Sequence, residues 1–200
     1  ELLTTVQLLS GYGFLSPYYQ NHARKVFDRF SSYRSHQAVQ LFNGVSRSGG
    51  WSDAYPTAML YLSDPPELEQ QFPLPPHIYA AFSGAENFQA FVAALRSFAY
   101  QTRFMSFFDE QMRLFRHLEN NVRQLLSNRD PIATVEAYYG TRQISYHLIL
   151  SPLLHHGGFG PHIGRFGGPY DVYTLLGPTG ALRGLPTYGP RPHLLELIWH

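Results

Sequence analysis

The chain closes on Leu194-Leu195-Glu196-Leu197-Ile198-Trp199-His200, an apolar run of helical spacing that ends on an imidazole. In the zinc-protease motif H-E-x-x-H, two histidines four residues apart face one metal ion, and the glutamate between them acts as general base. Only the first histidine of such a motif falls within this sequence. On a helix opening near Pro192, His193, Glu196 and His200 share one face, because they stand at i, i+3 and i+7. His200 is then a candidate zinc ligand. Glu196, one turn earlier, is a candidate to hydrogen-bond that ring and fix its tautomer. The same histidine also suits a plainer role, as a partner for the negative end of the helix dipole. The inverted motif H-x-x-E-H is not met, since Leu197 follows Glu196.

A second set of groups lies in Leu153-Leu154-His155-His156-Gly157-Gly158-Phe159-Gly160. It resembles an oxyanion-hole loop, but the G-x-S-x-G elbow that such a loop serves is missing. His155, His156 and His162 could be metal donors, yet adjacent residues of an extended chain point to opposite faces, which leaves a flexible loop with incidental histidines. A phosphate cradle at Gly158–Gly164 has no helix signal behind it, and Pro161 has no N–H to offer. Asp109 and Glu110 are helix neighbours that do not face each other, and Arg96, Arg103, Arg113, Arg116 and Arg123 read as a solvated outer face.

These groups sit in a core-rich chain of 200 residues, 16% aromatic and only 14% charged, against ~25% charged in ordinary domains. The net charge of +1 supplies no drive toward nucleic acid or an anionic surface. The absence of cysteine excludes disulfides and thiolate zinc sites. No apolar run is long enough for a membrane span. A start at Glu1 without a basic-then-apolar leader fits a mature or trimmed form.

The elements that must position these groups are mostly helical over residues 1–140. Leu2, Leu3, Val6 and Leu9 have helical spacing, stopped by Gly11 and Gly13. Ser16-Pro17 opens a second helix running to about Phe30. Ser35 caps a third, which carries Ala38, Val39, Leu41 and Phe42 and ends at Gly49-Gly50. A short helix follows from Ser52 or Asp53 to Leu62. A proline-rich connector spans residues 64–78. Ser83-Gly84-Ala85-Glu86 fits a capping box before Phe88, Phe91, Val92, Leu95 and Phe98. Ser106 to Asp109 is a weaker cap before Met112, Phe115, Leu118 and Val122. Asp130-Pro131 starts a last helix that Gly140 ends.

After Gly140 the pattern changes. Ile144–Leu150 and Tyr170–Leu176 read as strands on either side of a glycine-rich stretch, and residues 177–190 read as loop. The predicted fold is α+β: helices, then a small sheet, then the opening of the helix that bears His200. We expect one continuous domain, helical over 1–140 and sheet plus metal-binding helix over 141–200, cut at its C-terminal end.

Four pieces in this order resemble a bacterial family of predicted zincin-like metallopeptidases catalogued as a domain of unknown function. They are a helical N-terminal region, a short helix ending on Tyr138-Tyr139-Gly140, a strand running into a glycine turn (Tyr146–Leu154, then Gly157-Gly158-Phe159-Gly160-Pro161), and a helix start at Leu194–His200. The match is loose over 85–200 and closer over 131–200.

The resemblance implies zinc-dependent hydrolysis of a peptide or protein substrate. Zinc would polarise the scissile carbonyl and lower the pKa of a bound water toward ~7. His200 would be the first metal ligand, and the base and remaining ligands would follow it. The strand holding Leu148 and Leu150 would pair with extended substrate, and Gly157 and Gly158 would let its backbone approach. The resemblance also implies export to a secreted or periplasmic location. With one imidazole and no further donors, the chain as it stands would be inactive. A competing reading is a non-catalytic peptide- or carbohydrate-binding module that uses tyrosines such as Tyr170, Tyr173 and Tyr188.

Overall fold

The computed structural model describes residues 1–13, 15, 20–49, 52–164 and 168–199. The Ser16-Pro17 helix start and His200 lie outside the described residues. The chain forms two compact units, one of residues 1–15 and 22–111, the other of residues 16–21 and 112–200. The division falls inside a helix rather than at Gly140, where the sequence character changes.

The first unit is helical: α1 (Leu2–Ser10), α2 (Gln20–Phe30), α3 (Gln37–Gly49), α4 (Ala54–Met59), α5 (Pro76–Ala81), α6 (Ala85–Thr102) and the opening of α7 (Phe104–Leu126). Against α3 pack both α1 and α6. The aromatic residues at helical spacing are the core, with Phe30, Phe42, Phe82, Phe88 and Phe98 fully buried. They meet edge to face, as Phe30 with Phe107 (5.0 Å, 78°) and Phe82 with Phe88 (5.1 Å, 70°), the arrangement that ring quadrupoles favour.

Three helix starts differ from the sequence reading. The third helix is capped by His36 rather than Ser35: the Ala38 N–H donates to the His36 Nδ1 at 3.1 Å, an imidazole doing what an Asx side chain usually does. The capping box at Ser83 does not form, because α6 begins after Gly84 at φ 120 with no side-chain cap. Ser106 to Asp109 lie within α7. What separates α6 from α7 is Arg103 alone, in the left-handed region at φ 52. Arg96 is not part of a solvated stripe, since its guanidinium donates to the Glu67 and Leu68 carbonyls and ties the proline-rich connector to α6.

The second unit is α+β and carries the C-terminal elements. It holds the rest of α7, then α8 (Pro131–Tyr139), β1 (Ser145–Leu150), β2 (Gly158–Phe159), β3 (His162–Ile163), β4 (Asp171–Leu176), β5 (Gly180–Leu182), β6 (Leu185–Thr187) and α9 (Arg191–Trp199). Strand β4 is central. It pairs parallel with β1, Ser145 opposite Asp171 through Leu150 opposite Leu176, and antiparallel with β2 and β3 on its other side. The 177–190 segment is not loop but a β5–β6 hairpin. Arg183 and Gly184 turn it, both at positive φ as a two-residue hairpin turn requires. A core of Leu118, Val122, Leu176, Tyr188 and Leu194 joins helix to sheet, with Leu148, Leu150, Leu197 and Ile198 packed around it. Among the described residues, no helix is long and apolar enough to cross a membrane.

Candidate functional site

The site is a groove over one face of the β1–β4 pair, and each wall follows from local sequence. Helix α8 is fixed at both ends as its sequence predicts. The Asp130 carboxylate accepts the Ala133 N–H at 2.9 Å, Pro131 occupies the first turn, and Gly140 closes the helix at φ 68. The side chains of Tyr146 on β1 and Val172 and Thr174 on β4 fall on the same face, because Tyr146 and Val172 are register partners and residues two apart share a face. Helix α9 packs against both α8 and β4, anchored by Leu194, which is fully buried.

Three adjoining hollows make up the groove. A cleft of about 500 Å³ is lined by Val135 and Tyr139 of α8, Tyr146, Val172, Thr174, and the last turn of α9 (Leu197, Ile198, Trp199). A narrower, mostly apolar hollow of about 160 Å³ adds Leu126, Pro131, Ile132, His147 and Leu148. A third, of about 340 Å³, lies among Thr134, Val135, Tyr138, Tyr139 and Trp199. Aromatic side chains remain uncovered here: Tyr138 is 81% exposed, Tyr139 65% and Trp199 42%.

The polar side chains of the wide cleft are Thr141, Gln143 and Thr174 and the phenols of Tyr139 and Tyr146. Tyr146 Oη donates a long hydrogen bond of 3.5 Å to Glu136 Oε1, and Glu136 Oε2 meets Arg142 Nε at 3.5 Å. Burial, then the nearby Glu136 charge, pushes the Tyr146 phenol above its ordinary value. Gln143 spends its carbonyl oxygen on the Tyr170 N–H (2.7 Å), so the amide group is what it has left to offer the cleft.

The opposite face of the same strands carries a polar cluster that the sequence reading missed. Ser145 Oγ donates to Asp171 Oδ1, contacts His147 Nε2 at 2.7 Å, and His147 stacks on Tyr173 (4.7 Å, 17°). The residue types are those of a hydrolase triad, but the order is wrong. Ser145 has one proton and gives it to the carboxylate, so His147 must donate to Ser145 Oγ rather than accept from it. That is not the serine protease relay, in which the imidazole takes the hydroxyl proton and the carboxylate holds the imidazole. The signal was available in the alternation Ser145-x-His147 facing Asp171-x-Tyr173 across a parallel pair.

The residues singled out from sequence fall as follows. Leu148 and Leu150 are on β1 and pack on the core of this unit, Leu148 also lining the narrow hollow. Gly158 is pressed against its own sheet: a Cβ there would lie 2.7 Å from the Leu175 carbonyl oxygen. Gly157, at φ 103, has open space around it. Glu196 lies beside His193 (3.5 Å) on the expected helix face, and His193 stacks on His156 (5.6 Å, 9°). Among the described residues, no group of three histidine, aspartate or glutamate side chains is placed to hold a metal ion.

Residues 52–200 match the family described as a domain of unknown function (DUF4932). The chain belongs to this family. No curated protein and no solved structure matches it. Within the DUF4932 match lie α8, β1, β4 and α9, so all the walls of the groove are family elements.

Proposed function

We propose that the C-terminal unit of this DUF4932 chain is the substrate-holding scaffold of a zinc-dependent peptidase, with His200 as the first metal ligand. The observation that carries the reading is that the last turn of α9, through Trp199, lines the same cleft as Tyr146 of β1 and Val172 and Thr174 of β4. A ligand following Trp199 in sequence would be bonded to a residue of the cleft wall. Two features support substrate pairing along β1. It ends the strand order β1-β4-β2, so its outer edge has no strand partner among the described residues, and the side chains beside it belong to the groove.

The described residues hold no complete donor set, so no reaction step through the metal is derived from them. Water activation would be supplied by zinc held by His200 together with further donors. What the described residues contribute is shape: a parallel strand pair as floor, α8 and α9 as walls, and few charges.

The test uses the protein as its gene encodes it. Stoichiometric zinc by metal analysis, peptide cleavage, and loss of both in His200→Ala are the expected results. Protein that binds no stoichiometric metal would defeat the proposal. A second reading, a non-catalytic peptide- or carbohydrate-binding module, is favoured by the exposed Tyr138, Tyr139 and Trp199 around one hollow. It predicts binding without cleavage.

A further inference from the structure

The wide cleft that Trp199 lines has an uneven supply of hydrogen-bonding groups. None of its lining side chains is Asp, Glu, Lys, Arg or His. The hydroxyls of Tyr139, Thr141, Tyr146 and Thr174 can each donate or accept. Gln143 is different, because its carbonyl oxygen takes the Tyr170 N–H at 2.7 Å. Only the oxygen end of an amide can take a backbone N–H, so that bond fixes which way the side chain lies. The NH2 group left over can only donate. The Trp199 indole N–H is a second lining donor that cannot accept. No lining side chain is confined to accepting.

A ligand that satisfies this lining brings oxygen acceptors of its own. A carboxylate or phosphate would bring them together with a charge. Taking that charge out of water among Val135, Val172, Leu197 and Ile198, with no cation in the lining, is strongly unfavourable. A neutral carbonyl offers the same lone pairs without that penalty. We infer that the wide cleft binds an uncharged, amide-type carbonyl group, and that Gln143 recognises it by donating a hydrogen bond from its NH2 group to the carbonyl oxygen. The bond to Tyr170 holds the side chain in place beforehand, so little rotamer freedom is lost when a ligand arrives. This inference rests on the substrate-cleft half of the proposed function and not on its metal chemistry.

The experiment titrates the isotope-labelled chain with N-acetyl-L-leucinamide and follows backbone and side-chain amides by NMR. N-acetyl-L-leucine, which carries a carboxylate where the first probe has its primary amide, is the comparison. We expect the Gln143 NH2 pair to shift saturably with the amide probe, and the acid to bind at least about tenfold more weakly. Gln143→Glu keeps an oxygen for the Tyr170 N–H and loses the NH2 donor. The Tyr170 amide resonance should therefore stay in place while affinity for the amide probe falls by about three- to tenfold, the worth of one hydrogen bond. A purely structural Gln143 would not show that split.

A Gln143 NH2 pair that stays put as the probe saturates overturns the inference, and this readout needs no variant to fold. Absence of binding by the amide probe, equal affinity for amide and acid, or unchanged affinity in Gln143→Glu overturns it as well. Zinc content and peptide cleavage are measured apart from this titration. A cleft that ignores the amide probe in a protein that holds zinc and cleaves peptides sinks this inference alone. A protein without zinc whose Gln143 NH2 group answers the probe loses the peptidase reading and keeps the carbonyl site.

Discussion

Gly177, immediately after β4, is the position where one added methyl group should do the most harm. Its N–H donates to the Gly157 carbonyl at 2.9 Å, which brings the loop after β1 directly onto the end of the central strand. A Cβ at Gly177 would lie 1.8 Å from the His155 carbonyl oxygen and 2.7 Å from that of Leu154. Ordinary carbon–oxygen contacts are about 3.3–3.6 Å, so the loop backbone would have to retreat by roughly 1.5 Å. Backbone cannot rotate away as a side chain can. Overpacking of this kind costs about 1–3 kcal/mol, sometimes more. The retreat would also break the Gly177–Gly157 hydrogen bond and strain the β2–β4 pairing, at about 1 kcal/mol for each bond lost. We expect Gly177→Ala to destabilise the second unit by about 3–5 kcal/mol, read by urea denaturation followed by circular dichroism and tyrosine fluorescence. Gly44, exposed within α3 and with nothing within 4 Å of its Cβ position, is the internal comparison. Gly44→Ala should stabilise by up to ~1 kcal/mol through helix propensity. If Gly177→Ala stays within about 1 kcal/mol of the parent, the close packing of this loop on β4 is wrong, and with it the account of how the sheet end is sealed.

Other outcomes follow from the same geometry. Asp130→Ala removes the side-chain cap on α8 and should cost about 1 kcal/mol, visible as earlier amide exchange in the first turn of that helix. Leu194→Ala opens a cavity at a fully buried position joining α9 to α7 and β4, and should cost about 2–5 kcal/mol in chemical denaturation. Tyr12 sits edge-on to Phe42 at 5.2 Å, and burial pushes its phenol up to about 12. Because the folded value exceeds the unfolded value of 10, the contribution of Tyr12 to stability is whole below pH 10 and is lost as pH rises toward 12. Tyr12→Phe should therefore flatten the alkaline limb of a stability profile, and an unchanged limb would contradict the burial of this hydroxyl.

The sequence by itself determined the α+β class, the ends of α8, both principal strands and the identity of the aromatic core. Each of these rests on a local rule: Asp130-Pro131 and Gly140 carry cap chemistry in their own side chains or backbone freedom, Phe88 to Phe98 repeat at helical spacing, and Ile144–Leu150 is β-prone and partly alternating. The β5–β6 hairpin was hidden because its three-residue strands contain Gly180 and Pro186 and, among β-branched residues, only Thr187, and it is their cross-strand pairing that makes them strands. The cap on α3 was misplaced because a histidine carries no strong capping preference until a backbone N–H is aimed at its ring.

Tertiary structure alone decided the groove. Val135, Tyr146, Val172 and Trp199 are distant in sequence, and nothing local to any of them signals a shared cavity. They meet because β1 and β4 pair in parallel at a fixed register and α9 folds back over them, and long-range pairing of that kind is set by packing across the whole unit rather than by neighbours along the chain.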